Sequence, residues 1–236
     1  MILDKFIGES FRINAYRLKH LCLRGSLRRD LWVKIMAQRF PYPGATTLGI
    51  KGKDSVVLAS EKRLAYGYFV VSKTVRKVFQ ITPKIGAACA GFVGDMQSLI
   101  RDAQAEANLY RYRYGRELTV RSVAKILSNY LFKSKSLPYL TETIVGGFDE
   151  TGAHVIVLDP LGSMIEDDYA VVGTGAEIAI GIIESSYKPE MDMKELRELA
   201  LKAIKASIAR DAASGNGIDL LIFTDEGLKV NETINL

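Results

Sequence analysis

The order of the predicted strands and helices constrains the fold of this 236-residue chain more than any other feature. From residue 46 onward, a group of strand patterns is followed by two helical patterns, a second group of strands, two more helices and a last strand. Helices that come in pairs disfavour a fold in which each parallel strand is followed by one helix. The order therefore predicts an α+β fold, a four-layer αββα sandwich. Two antiparallel sheets pack face to face in it, and a helix pair covers each outer face.

Turn residues and hydrophobic spacing mark the individual elements. Strands are predicted over residues 46–51, 55–60, 78–82, 85–91, 143–148, 154–159, 163–172 and 218–224. Asp95 is predicted to cap the first helix and Thr119 the second. In the first helix pair, apolar residues recur on one face at helical spacing. The second helix pair is predicted over about residues 176–187 and 193–210.

The first 45 residues differ in charge from the rest of the chain. They contain nine Lys and Arg against three Asp and Glu, whereas residues 46–236 contain 23 basic and 24 acidic side chains. Because the positive charge is concentrated in this segment, the remainder lacks the basic surface of a nucleic-acid-binding domain. We expect residues 1–45 to be a basic leader and residues 46–236 to be one domain. A second interpretation is a start at Met36, with residues 1–35 not translated.

Histidine and cysteine usage excludes several kinds of site. His20 and His154 are the only histidines, so the chain has almost no histidine available for a Ser-His-Asp triad or a histidine zinc site. Cys22 and Cys89 do not make a disulfide framework. Hydrolytic chemistry would need a lysine or a free α-amine as its base. With no long apolar run and no secretory signal pattern, we expect no membrane contact. The lack of a disulfide framework makes a reducing cytoplasm the default. We expect neither a metal nor a cofactor.

Six short motifs follow one another along the predicted domain. They are TTLGI at 46–50, KDSVVLASEKR at 53–63, SKTVRK at 72–77, AGFVGD at 90–95, a glycine pair at 146–147 and RDAASG at 210–215. Their order and spacing resemble the β-type subunits of the proteasome, archaeal-type members of the N-terminal nucleophile hydrolases. The leader motifs of the related α-type subunits are absent from residues 1–45, so the resemblance is to the β type.

The resemblance implies an assembly and a chemistry. Such subunits form seven-membered β rings stacked on rings of α subunits, and they degrade unfolded polypeptides delivered by a regulatory ATPase. In active members the leader is cut off behind a glycine, and the exposed threonine attacks the peptide carbonyl. Its own α-amine, with an intrinsic pKa of about 7.7–8.0, takes the proton. We expect the leader of this chain to act during assembly.

The resemblance also implies roles for individual residues. Lys77 resembles the buried lysine that supports the threonine hydroxyl, and Glu61 the acid that pairs with that lysine. Gly91 resembles the glycine whose N–H stabilises the oxyanion. Asp211 and Ser214 match the pair that orients the terminal amine. An apolar substrate pocket would be lined by Leu64, Val75, Cys89 and Val93.

The position of the nucleophile is occupied by Ala45, whether it is counted back from Gly49 or forward from Gly44. If the chain were cut before Thr46 instead, the hydroxyl would be displaced by about 3.3 Å and would point to the opposite face of the sheet. A displacement of a catalytic group by about 1 Å already lowers the reaction rate strongly. We therefore expect a structural, non-catalytic subunit beside an active β paralogue. Two alternatives are a threonine endopeptidase that uses Thr46 and an engineered Thr-to-Ala change.

Two further positions depart from the family pattern. Thr174 replaces the serine of a frequent Gly-Ser-Gly motif, and Ala212 replaces the serine that usually follows the aspartate at position 211. Together with Ala45 they fit relaxed selection on a silent subunit.

Overall fold

The computed structural model describes residues 44–236. The predicted leader, except for its last two residues, and the second start at Met36 lie outside the described residues. The strands of the described part are β1 (Thr46–Lys51), β2 (Ser55–Glu61), β3 (Leu64–Tyr66), β4 (Phe69–Ser72), β5 (Val78–Gln80), β6 (Ile85–Gly91), β7 (Thr141–Asp149), β8 (Gly152–Leu158), β9 (Met164–Asp167), β10 (Tyr169–Gly173), β11 (Ile218–Thr224) and β12 (Gly227–Ile234). The helices are α1 (Val93–Tyr114), α2 (Val120–Lys133), α3 (Ala176–Ser186) and α4 (Met193–Arg210).

Ten of these strands form two antiparallel sheets. The first sheet has the order β10-β1-β2-β11-β12 and the second has the order β5-β6-β7-β8-β9, while β3 and β4 form a separate hairpin. The sheets pack closely, because a Cβ atom added at Gly49 would lie 2.8 Å from the Ile144 side chain of the other sheet. Buried side chains from both sheets, such as Leu58 and Val155, form one cluster between them.

Each sheet is covered by one helix pair on its outer face. Met96 and Leu127, from α1 and α2, pack in one cluster with residues of the second sheet. Ile183 and Leu196, from α3 and α4, pack in another with residues of the first sheet. The four-layer αββα sandwich is confirmed. None of the helices within residues 44–236 is long and apolar enough to cross a bilayer.

The predicted caps of α1 and α2 had different outcomes. Thr119 caps α2, since its hydroxyl accepts a hydrogen bond from the Ser122 N–H at 3.1 Å. The prediction for Asp95 was wrong, because α1 begins at Val93 after the cap residue Phe92. The Asp95 carboxylate instead accepts the Leu140 N–H at 2.9 Å, which fastens the segment before β7 to the first turn of α1.

The predicted set of strands needs correction at three places. The single strand predicted over 163–172 is two strands, β9 in the second sheet and β10 in the first, because the chain crosses between the sheets near Asp168. The hairpin of β3 and β4 was not predicted. Strand β12, which pairs antiparallel with β11 after the turn at residues 225–227, was not predicted either.

Candidate active site

A buried ion pair lies at the centre of the candidate site. Lys77, directly before β5, is 1% exposed, and Glu61, the last residue of β2, is fully buried. The Lys77 ammonium donates a hydrogen bond to the Glu61 carboxylate and another to the Arg63 carbonyl oxygen at 2.6 Å. The structure thus brings together the two residues that the resemblance paired, and it places them inside the protein rather than on a solvated surface.

Burial dominates the electrostatics of this pair. It lowers the pKa of Lys77, and the attraction of Glu61 and Asp211 opposes that shift only in part. Burial likewise raises the pKa of Glu61, against the lowering effect of the Lys77 charge and of two backbone N–H donors. Each charge therefore depends on the other, and removal of either would leave an uncompensated charge inside the protein.

Arg63 joins this pair to the turn after α4, a role that the sequence reasoning missed. The Glu61 carboxylate accepts the backbone N–H groups of Arg63 at 2.6 Å and Gly215 at 2.9 Å. The Arg63 guanidinium donates to the Ala212 carbonyl at 2.7 Å and to the Asn216 side-chain oxygen at 2.9 Å. A Cβ atom at Gly215 would lie 2.3 Å from that guanidinium, so any other residue there would displace the Arg63 side chain from these contacts. Arg63 lies in the 53–63 motif, but its partners are distant in sequence.

Asp211 is the centre of a second group of polar residues. Its carboxylate accepts the Ser214 hydroxyl at 2.7 Å, the Thr174 hydroxyl at 2.6 Å and the Ala213 N–H at 3.0 Å. The Thr174 hydroxyl also lies 3.3 Å from the Ala45 carbonyl oxygen. Threonine thus supplies at position 174 the hydroxyl that a serine would supply, and this departure from the family pattern removes no donor.

The other departure, Ala212, lies on an exposed turn. Its carbonyl oxygen accepts the hydrogen bond from Arg63 noted above. Any residue has a backbone carbonyl that can make this contact, so the change from serine leaves it intact.

Ala45 and Thr46 point to opposite faces of the first sheet. Ala45 is 1% exposed and belongs to the cluster between the two sheets, on the side where the Thr47 hydroxyl donates to the Cys89 carbonyl at 3.0 Å. Thr46 shares its face with Leu48, which packs in the cluster of the outer helices. The Thr46 hydroxyl lies 2.8 Å from the Ser214 hydroxyl. In the uncleaved chain, the hydroxyl of Thr46 is therefore directed away from the layer between the sheets.

Gly91, the last residue of β6, has a φ of +131°, in a region that favours glycine. Gly173, which ends β10, has a φ of +97°, and a Cβ atom there would lie 2.2 Å from the Ala45 carbonyl oxygen. Gly173 thus lets the backbone approach the Ala45 carbonyl closely. This geometry is compatible with an oxyanion site at Gly91, which stays a prediction.

The four residues of the predicted substrate pocket differ in their exposure. Leu64, Val75 and Val93 are partly buried and keep some free surface, whereas Cys89 is fully buried. The Cys89 side chain packs in the cluster beneath α1 and α2, with its sulfur 3.6 Å from the Thr143 hydroxyl. Within residues 44–236 no group of three or more His, Cys, Asp or Glu side chains is arranged to hold a metal ion.

Cys89 is expected to resist alkylation in the folded chain. Burial raises the pKa of its thiol to about 12, so almost none of the reactive thiolate forms at neutral pH. Iodoacetamide labelling at pH 7.5, located by peptide mass spectrometry, should modify Cys89 at least about a hundredfold more slowly in native than in denatured protein. Equal rates in the two states would contradict the burial.

Lys77, Glu61 and Asp211 thus lie around the start of β1. A family model described as "Proteasome subunit" matches residues 42–223, which include all of these positions. The chain belongs to the proteasome subunit family.

Its relatives in this family are β subunits from archaea. Proteasome subunit beta 2 of Pyrobaculum arsenaticum is 48% identical over 189 residues, which cover 80% of this chain and 93% of the relative. Proteasome subunit beta 1 of Staphylothermus marinus is 50% identical over 190 residues, covering 80% and 89%. Proteasome subunit beta 1 of Hyperthermus butylicus is 49% identical over 184 residues, covering 78% and 90%. The chain is therefore a proteasome subunit of the β type.

Proposed function

We propose that this chain is a structural β subunit of the proteasome core particle and is itself non-catalytic. In this role it occupies a seven-membered β ring beside an active β paralogue, stacked on a ring of α subunits in the cytoplasm. The particle degrades unfolded polypeptides that a regulatory ATPase delivers. Residues 1–45 serve as a leader during assembly.

The single observation that carries this proposal is the methyl group of Ala45. It stands where the family has the attacking hydroxyl, and it has no atom that can act as a nucleophile. Thr46, the next hydroxyl along the chain, faces the outer helices and is engaged with Ser214. To act in place of residue 45, Thr46 would have to exchange that contact and turn to the other face of the sheet.

The alternative function is a threonine endopeptidase that uses Thr46 after cleavage between Ala45 and Thr46. It is favoured by the retention of the Lys77–Glu61 pair and of the Asp211 hydrogen bonds. A new chain terminus at Thr46 would no longer be held by residues 44 and 45, and a local slip of β1 would then be less restricted. The two functions differ in the first residue of the mature chain.

Intact-mass spectrometry of the chain, purified within its particle, separates these functions. After treatment of the particle with an epoxyketone or boronate inhibitor, we expect residue 45 and its leader, whole or trimmed at another point, to remain and no inhibitor to be attached. The active β paralogue in the same particle is the internal control, because it should carry the inhibitor. A chain that begins at Thr46 and carries the inhibitor would reject the structural role.

A further inference from the structure

Five polar side chains of the second sheet and α2 form a connected network. His154 on β8 lies at its centre, with Nδ1 2.6 Å from a carboxylate oxygen of Glu166 on β9 and Nε2 2.7 Å from the Thr151 hydroxyl in the β7–β8 turn. The Thr151 hydroxyl also lies 2.6 Å from the carboxylate of Asp149, which ends β7, and the Arg121 guanidinium on α2 donates to Glu166. We call these five residues the histidine clasp, because they join three strands, a turn and a helix.

The histidine clasp fastens two elements whose backbone groups are incompletely paired. Among the described strands, β9 pairs with β8 alone, so its other edge has no strand partner. The first N–H groups of a helix likewise lack partners within the helix. The Asp149 carboxylate accepts the Val120 N–H at the start of α2 at 2.9 Å, and the side chain of Glu166 links β9 to His154 and Arg121. Local opening of β9 and of the first turn of α2 therefore depends on this network.

Only the positively charged ring of His154 satisfies every contact of the histidine clasp. Thr151 has one hydroxyl proton but two acceptors within reach, the Asp149 carboxylate and, in a neutral ring, a bare Nε2. A neutral ring with its proton on Nδ1 therefore leaves one of these two contacts without a proton. A neutral ring with its proton on Nε2 instead places a bare Nδ1 against the Glu166 carboxylate. With both nitrogens protonated, Nδ1–H donates to Glu166, Nε2–H donates to Thr151 and Thr151 donates to Asp149.

The charges that face His154 favour the same form of the ring. Asp149 approaches from the end of β7, with its carboxylate 3.4 Å from Nε2, and Glu166 approaches from β9. The positive charges of Arg121 on α2 and of Lys51 at the end of β1 act on Glu166. The His154 side chain is 15% exposed, so water and salt screen these contacts only in part. A positive ring therefore balances two carboxylates that a neutral ring leaves in excess.

The two carboxylates of the histidine clasp stay charged at neutral and mildly acid pH. The hydrogen bond from His154 lowers the pKa of Glu166 below its ordinary 4.5, against the opposing effect of burial. Burial would raise the pKa of Asp149, but hydrogen bonds, first of all those from Thr151, lower it below its ordinary 3.8. The stability that these lowered pKa values contribute is lost only as the pH falls below those ordinary values. An ordinary histidine, in contrast, changes charge at about pH 6.5.

We propose that the histidine clasp is a proton-controlled switch. It closes on β9 and on the start of α2 when His154 is positively charged, and it loosens when the ring loses its proton. Loosening removes one hydrogen bond and the attraction between the ring and both carboxylates, whereas Glu166 keeps its contact with Arg121. Strand β9 thus stays in the sheet but opens more often as the pH rises. The switch is independent of the chemistry at residue 45, so it holds whether or not the subunit is catalytic.

Hydrogen exchange of the full-length chain, followed by mass spectrometry, tests the switch. Peptides from β9 and from the start of α2 report on the histidine clasp, and peptides from β11 in the first sheet are the internal reference. At pH 5.5 the reporting peptides of His154→Gln should exchange about tenfold or more faster than those of the wild type, because charge-assisted hydrogen bonds are lost. At pH 8.0 the two proteins should agree within about threefold. The reference peptides should exchange equally in both proteins.

The matched control is His20→Gln, which removes the other histidine of the chain and should exchange like the wild type at both pH values. Glu166→Gln is a second variant in case His154→Gln does not fold. Its exchange should exceed that of the wild type more at pH 5.5 than at pH 8.0, because it removes a partner of the charged ring. An effect of His154→Gln or Glu166→Gln that is equal at the two pH values would overturn the switch, since packing would then account for the protection. A His20→Gln chain that behaves like His154→Gln would overturn it as well.

Discussion

Replacing Ala45 by threonine is expected to make this subunit cleave its own leader and then hydrolyse peptides. The new hydroxyl would enter the layer between the two sheets, where the side chain of Ala45 lies together with Ala90. The Lys77–Glu61 pair, the glycine conformation at Gly91 and the Asp211 hydrogen bonds are already in place. Since a single missing nucleophile can cost on the order of 10⁶ in rate, its restoration should raise peptidase activity by about 10³ or more.

The measurement is the intact mass of Ala45→Thr within the particle, before and after treatment with an epoxyketone. Loss of residues 1–44 and attachment of one inhibitor molecule to residue 45 are expected. Ala45→Val is the matched control, because valine has the shape of threonine without its hydroxyl, and it should remain uncleaved. Ala45→Thr/Lys77→Met should also remain uncleaved. If Ala45→Thr assembles but keeps its leader, the site has lost more than its nucleophile.

Much of the fold could be predicted because its elements carry local signals. Helix α2 has a threonine cap and a regular apolar stripe, and both depend only on neighbouring residues. Strand β12 carried a comparable signal, since partly buried and exposed residues alternate from Leu228 to Ile234, but the prediction ended at the turn before it. The division into β9 and β10 could not be predicted in this way. Residues 163–172 form one continuous strand pattern, and the change of sheet depends on distant pairing partners.

The candidate site likewise combines residues that local motifs identify with contacts between residues far apart in the sequence. Motif resemblance identified Lys77, Glu61 and Asp211, and the structure brings the first two into contact. The hydrogen bond of Thr46 to Ser214 joins residues 168 positions apart, and the Arg63 contact with Ala212 spans 149 positions. Contacts between residues so far apart in the sequence depend on how the first sheet packs against the turn after α4. The alternation of side chains along β1, in contrast, follows from strand geometry alone, and it predicted that Ala45 and Thr46 face opposite ways.

Replacing Lys77 by methionine is expected to destabilise the folded chain by about 3–5 kcal/mol at neutral pH. Methionine fills a similar volume, but the Glu61 carboxylate then has no opposite charge in a fully buried position. Adding Glu61→Gln removes that charge while keeping an oxygen for the Arg63 and Gly215 N–H groups. The double variant should therefore recover about 2 kcal/mol or more of the loss, which equilibrium urea unfolding of the full-length chain would measure. Equal losses in the single and double variants would show that packing, rather than the unpaired charge, sets the cost.

The pH dependence of this loss separates charge from packing. Burial already raises the folded-state pKa of Glu61 above its ordinary 4.5, and loss of the Lys77 charge removes an effect that lowers it, so the pKa rises further in Lys77→Met. A carboxyl with a raised folded pKa contributes stability that is complete below the unfolded pKa and is lost as the pH rises through the folded pKa. Lys77→Met should thus differ least from Lys77→Met/Glu61→Gln near pH 4.5 and most at pH 7.5. A difference that stays constant over this range would mean that Glu61 remains protonated in the variant even at pH 7.5, or that its charge does not contribute to the loss.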